Sequence, residues 1–214
     1  LAKAGVRSSV SNGFSASRPS STKGTLDVKE EVILVNENDE MIGVAEKLAT
    51  HACAALHRAF SIFIFDSAGK LLLQKRTTTK YHSKGLWSNT CCGHPRPGEK
   101  IEAASQRRLY EEMGFECEVT EAFSFTYYVE LENGFFEHEY DHVFIGQFDG
   151  TPNPSSDEVD DWKWLDLATL RIAIQKNPED FTYWFKLSFE TLCKHVWSTN
   201  RRGNASILEE FQNA

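Results

Sequence analysis

A chain of 214 residues with 41% hydrophobic and 12% aromatic content suits one globular domain and is too apolar for a disordered protein. Its longest apolar runs, Ala59 to Phe65 and Leu71 to Leu73, fall far short of the roughly 20 residues a membrane span requires. A net charge of -8 disfavours nucleic acid as a partner and leaves any anionic ligand to a few placed Lys and Arg.

Residues 1–26 carry Lys3, Arg7, Arg18 and Lys23 among Ser, Gly and Ala, without an acid, and cannot bury enough apolar surface to fold. A tail over 1–28 is expected, either a linker or the remnant of an organelle transit peptide. Because the chain opens on Leu1, a fragment or a processed form is expected. From Glu31 to Asn36 and from Met41 to Val44 the pattern predicts short strands around the polar turn Glu37-Asn38-Asp39-Glu40. Phe60 to Phe65 and Leu71 to Lys75 predict a hairpin of buried strands across Asp66-Ser67-Ala68-Gly69. After a long loop, Ile101, Ala104, Leu109 and Met113 stand at near-helical spacing over 99–113, stopped by Gly114. Ala122 to Leu131 and Phe135 to Phe148 flank Glu132-Asn133-Gly134, whose Asn-Gly pair supplies the positive φ angles of a tight hairpin. Leu167 to Gln175 and Thr182 to Val196 predict two helices. The folded domain is thus expected over 29–197 and a loose tail over 198–214. Cys53, Cys91, Cys92, Cys117 and Cys193 form an odd set without zinc-ribbon spacing, which points to a reducing compartment. That is the cytoplasm, unless the first segment addresses the chain to a plastid or another organelle.

One stretch carries chemistry in its spacing. Gly93 is followed after five residues by Glu99, and after seven more by Arg107-Arg108-Leu109-Tyr110-Glu111-Glu112-Met113-Gly114-Phe115. This resembles the Nudix box in every fixed residue type but one. The resemblance implies a Nudix-type α/β fold, a mixed sheet flanked by helices, whose helix carboxylates gather a divalent cation and the diphosphate it neutralises. Arg108, Glu111 and Glu112 are three and four residues apart and share a helix face. Arg108 is the departure, since Nudix hydrolases carry glutamate there. A cation in its place removes a metal ligand and offers a partner to a substrate phosphate. Standing alone, the stretch would serve equally as a surface helix with ordinary ion pairs.

It does not stand alone. Trp87-Ser88-Asn89-Thr90-Cys91-Cys92-Gly93-His94-Pro95, Phe136-Glu137-His138-Glu139, Lys47 through His51 to His57-Arg58-Ala59-Phe60-Ser61, and the segment around Trp184 occur together. Over about residues 30–195 the chain resembles type I isopentenyl diphosphate isomerases. The resemblance implies an isomerase that interconverts isopentenyl and dimethylallyl diphosphate in isoprenoid biosynthesis, by protonation and deprotonation through a tertiary carbocation. Such chemistry requires two proton-transfer groups, an electron-rich wall and a dry cavity. By resemblance, Cys92 and Glu139 are the acid-base pair on opposite faces of the substrate, Tyr127 assists Glu139, and Trp184 supplies the wall through cation-π attraction.

The resemblance also makes His51, His57, His94, Glu137 and Glu139 the ligands of one divalent metal. Three imidazoles with two carboxylates favour Zn2+, Mn2+ or Fe2+ over calcium. Glu137 and Glu139, two apart in a strand, point to one side. Lys47, Arg76, Lys80 and Arg108 match diphosphate-contacting positions, with Mg2+ held through Glu112. Each residue has a plainer reading beside this one. A lone histidine is more often a core or surface residue, and Glu137, Glu139 and Asp141 could form a solvated acidic face. Cys92 could be a small buried hydrophobe beside Cys91. Tyr183 departs from members with proline before the tryptophan. The partner implied is a small diphosphate, with no nucleic acid and no membrane, and the expected state is a monomer. Two other functions compete: a Nudix hydrolase of a diphosphate, and a catalytically silent module that senses one.

Overall fold

The computed structural model describes residues 30–202. The tail expected over 1–28, and all of the expected C-terminal tail beyond residue 202, lie outside the described residues. Strands β1 (Glu31–Val35) and β2 (Met41–Glu46) form an antiparallel hairpin. Asn36 closes its turn, its Oδ1 accepting from the N–H groups of Asn38 and Glu40 at 3.0 Å each. A short helix follows, α1 (Lys47–Cys53), capped by the Glu46 carboxylate, which accepts from the N–H groups of Leu48 and Ala49. Seven residues are too few to announce a helix by period, so the pattern did not predict it.

β3 (His57–Phe65) is the centre of the molecule. β8 (Phe136–Gln147) runs parallel to it over its whole length, with His57 opposite Glu139 and Phe65 opposite Gln147. Its other edge meets β1, then β6 (Cys91–Gly93), then β4 (Leu71–Arg76). The hairpin expected between β3 and β4 therefore touches only at Phe65 and Leu71. β4 pairs instead with β5 (Trp87–Ser88) and with β9 (Val159–Leu165), which the sequence pattern did not predict. β5 and β6 lie in the stretch read as a long loop; at two and three residues they exist only as partners of longer strands. β7 (Val119–Glu130) completes the antiparallel pair with β8. The turn between them holds Asn133 and Gly134 at φ 65° and 72°, as their pairing predicts.

Helices cover both faces. Phe60, Ile62, Ile64, Leu72 and Phe144 pack against Ala104, Leu109 and Met113 of α2 (Ile101–Met113). Phe63, Phe65, Leu71, Leu73 and Val143 pack against Leu170 of α3 (Leu167–Lys176) and Phe185, Phe189 and Leu192 of α4 (Tyr183–Arg202). Burial on both faces is why β3 and β4 read as unbroken apolar runs. The expected architecture, a mixed sheet flanked by helices, is the one observed. α4 runs to Arg202, past the boundary expected at residue 197. Among the described residues no helix is long and apolar enough to cross a membrane. The site forms where the starts of β3 and β8 meet the end of β4 and the first turn of α4.

Candidate active site

The histidines are oriented by backbone. His51 Nδ1 lies 2.7 Å from the Lys47 carbonyl, and His57 Nδ1 lies 2.9 Å from that of Ala55. A carbonyl can only accept, so each Nδ1 carries a proton and each ring turns its Nε2 inward; the Glu137 and Glu139 carboxylates raise the His51 pKa against burial. There His57 Nε2 stands 3.2 Å from His94 Nε2 and 3.6 Å from Glu139 Oε1, while His94 Nε2 stands 2.9 Å from the same oxygen. The ligand atoms of His51, His57, His94 and Glu139 all lie within 4.8 Å of one another. His51 Nε2 and Glu137 Oε2 are 3.3 Å apart, yet both are buried without a well-directed hydrogen bond. An unpartnered ring nitrogen beside an unpartnered buried carboxylate oxygen is costly unless a cation lies among them. The donor set fits a divalent metal. Burial pushes His94 down to about 4, which keeps it neutral and ligand-competent. Glu139 is held well below the usual carboxylate range, against burial, by the neighbouring His57 and His94 imidazoles.

Cys92 and Cys91 are separated by strand alternation. Ser61 is opposite Cys92 in the β3–β6 ladder, and Cys92 lines the cleft while Cys91 is fully buried under α2. The Cys92 thiol donates to Asn89 Oδ1 at 3.1 Å and lies 3.7 Å from Ser61 Oγ. Burial, with the nearby Asp141 and Glu112, pushes it up to about 12, so it stays protonated through neutral pH. Across the cleft, Tyr127 is in register with Glu139 and donates its hydroxyl to Glu139 Oε2 at 2.6 Å. Trp184 is 4% exposed, so its indole is fixed; its N–H is shared between Ser88 Oγ at 3.1 Å and Asn89 Oδ1 at 3.2 Å. Tyr183 in the place of proline leaves Trp184 on the cleft wall.

Four cations border this cleft. Lys47 pairs with Glu30 at 2.9 Å and Lys80 with Glu158. Arg108 pairs with Glu111 at 2.8 Å, with Glu112, and with Glu158 at 3.3 Å. Against burial, Glu112 and Glu158 hold it firmly protonated. Arg76 has no carboxylate partner among the described residues; its Nε is buried without any partner, and its guanidinium lies 5.3 Å from the Trp184 ring centroid. A buried guanidinium N–H without an acceptor is a ready site for an anionic oxygen. Glu112 also accepts from Gln74 Nε2 at 3.0 Å.

Every residue expected of the site except His51 and His57 therefore lines one cleft, and these two are buried against its lining residues His94, Glu137 and Glu139. The solvated-face reading of β8 is overturned, because Glu137, Glu139 and Asp141 are 3%, 8% and 1% exposed. Sequence reasoning missed His82, which meets Glu137 at 3.0 Å from an irregular loop, and Asn89, which carries no charge. It also missed Asp141, which accepts from Ser61 Oγ at 2.8 Å and whose protonated form is favoured by burial and by Glu139. The two-residue alternation from Glu137 was the signal for Asp141; for His82 no local pattern existed.

The NUDIX domain family matches residues 55–185. The chain is 54% identical over 157 residues to isopentenyl-diphosphate Delta-isomerase 2 of Aromatoleum aromaticum, covering 73% of this chain and 83% of the relative. It is 55% identical to isopentenyl-diphosphate Delta-isomerase 2 of Photorhabdus laumondii, covering 73% and 89%. Among solved structures, one from Deinococcus radiodurans superposes with a TM-score of 0.56 at 24% identity, covering 67% of this chain and 89% of that one, a likeness of fold alone. With its Nudix fold and with identity above one half to relatives it nearly spans, the chain belongs to the isopentenyl-diphosphate Delta-isomerase family of the Nudix superfamily.

Proposed function

We propose that this protein interconverts isopentenyl and dimethylallyl diphosphate, with Cys92 and Glu139 as its proton-transfer pair. One observation carries the reading: a thiol held protonated and a carboxylate held ionised face a single cleft from different strands, with an indole on its wall. In the forward direction the Cys92 S–H gives its proton to the terminal carbon of the double bond, and the tertiary carbocation forms against the Trp184 face. Glu139 then takes a proton from the neighbouring carbon, and the electron pair of that C–H bond becomes the new double bond. Tyr127 keeps Glu139 Oε2 in place. Lys47, Arg76, Lys80 and Arg108 receive the diphosphate, exchanging carboxylate partners for phosphate oxygens where they have them.

His51, His57, His94, Glu137 and Glu139 are the residues that would hold Zn2+, Mn2+ or Fe2+, and Glu112 would hold Mg2+ beside the diphosphate. Bound there, such ions supply positive charge that keeps the carboxylates ionised and neutralises the substrate. The cleft is complete within one chain, which suits a monomer as the working unit. A reducing compartment, such as the cytoplasm, suits a reaction that needs the Cys92 thiol intact.

Proton NMR of isopentenyl diphosphate incubated with the protein tests the proposal. Appearance of dimethylallyl diphosphate without phosphate release is expected. Phosphate release without isomerisation would establish a hydrolase, and saturable binding without turnover would establish a sensing module.

A further inference from the structure

We infer that His82 is a positioning residue of the metal site, holding the Glu137 carboxylate by one oxygen so that the other faces the histidine cluster. The inference rests on the reading that this cluster holds a divalent ion. His82 lies between β4 and β5, outside any regular element, yet it is 3% exposed. Its Nε2 is 3.0 Å from Glu137 Oε1, and its Nδ1 is 3.2 Å from Ser83 Oγ. The ring is clamped edge-on between Tyr81 and Trp184, at centroid distances of 4.4 and 6.0 Å and interplanar angles of 84°. The loop behind it is tied down as well, since the Ser83 N–H donates to Glu132 Oε1 at 2.7 Å, next to the β7–β8 turn.

The consequence falls on Glu137. One of its oxygens is taken by His82; the other, Oε2, is buried, lacks a directed hydrogen bond and sits 3.3 Å from His51 Nε2. A carboxylate anchored by one oxygen and open at the other is the arrangement by which outer groups orient a ligand and raise its affinity. His82 could instead ligate directly, because its ligand atom, with those of His51 and Glu137, also falls within 4.8 Å of one another. Two contacts favour positioning: Nε2 is engaged at hydrogen-bond distance by Glu137, and the Glu137 oxygen left without a partner is the one turned towards His51. The same imidazole contacts Trp184 edgewise, so it spaces the metal cluster from the indole wall.

The test uses the full chain stripped of metal and titrated with Zn2+ alone against a chromophoric chelator, then loaded with Co2+ for its visible spectrum. His82→Ala is expected to weaken Zn2+ by about 10–100-fold, the range for loss of such an outer partner. At Co2+ saturation its spectrum should match the wild type. His82→Gln, whose amide N–H can still reach Glu137, should recover most of the affinity. Unchanged Zn2+ affinity in His82→Ala would overturn the inference, and so would a changed Co2+ spectrum at saturation, which would mark a lost ligand. If His82→Ala does not fold, Ser83→Ala carries the test: a several-fold loss supports the role and wild-type affinity overturns it. Absence of Zn2+ binding by the wild type would instead sink the metal reading itself.

Discussion

The pair Cys91 and Cys92 shows how one residue of register separates two chemically identical side chains. Successive residues of β6 face opposite sides, so one sulfur enters the core under α2 and the other enters the cleft beside Asn89. Cys92→Ala is expected to abolish isomerisation with the melting temperature nearly unchanged. Cys91→Ala should remain active and lose about 1 kcal/mol of stability, the common scale for a single core change. Initial rates and calorimetry on both variants decide it; an active Cys92→Ala would reverse the assignment. Arg108 permits a second test at this scale. Arg108→Glu would put a further carboxylate against Glu111, Glu112 and Glu158 and remove the cation that compensates them. A lower melting temperature and a raised KM are expected, with no phosphate release, because a restored box glutamate does not position an attacking water. Unchanged isomerisation kinetics would refute phosphate contact at Arg108.

Among the elements, legibility followed length and local period. α2 carried apolar residues at helical spacing and a glycine stop, and both are observed. The stop is steric as well as conformational, since a Cβ on Gly114, at φ 72°, would sit 2.1 Å from the Asn153 carbonyl oxygen. Gly114→Ala should therefore destabilise the protein by more than the ~1 kcal/mol of backbone strain alone, and the denaturant midpoint measures it. A midpoint within error of the wild type would show that the Asn153 loop yields freely. α1, β5, β6 and β9 escaped sequence reading for a shared reason. Each is short or mixed in polarity, and is held by a partner distant in the chain: β9 by β4, β6 by β3, and the end of α1 by His138, whose Nδ1 lies 2.9 Å from the Ala54 carbonyl. The β3–β4 hairpin misled because two adjacent apolar runs predict a local pair, whereas β3 gains far more by lying parallel to β8.

At the scale of the whole molecule, five ligand candidates arrive from α1, β3, β6 with its following residue, and β8, and are packed together with His51 Nε2 and Glu137 Oε2 left without a hydrogen-bond partner. A divalent ion bound there ties these elements to one another and stabilises only the folded state. At 100 times its dissociation constant it should add roughly 2.7 kcal/mol. Calorimetry of the stripped protein with and without Zn2+ is expected to show a clear rise in melting temperature, and identical curves would argue against a site. What could be read from the residues alone was local or carried by motif: the Nudix box, the strand of spaced glutamates, the glycine stop, the Asn-Gly turn, and through resemblance the identity of the site residues. Such features depend on contacts within a few positions of the chain, so spacing records them. Only the tertiary structure decided that β8 is a buried central strand, that Glu158 joins Glu111 and Glu112 around Arg108, that Arg76 alone of the four cations lacks a carboxylate partner among the described residues, and that His82 stands behind Glu137. Each of these depends on which distant strands become neighbours, and the burial that selects those neighbours acts on the assembled molecule, leaving no period in the sequence.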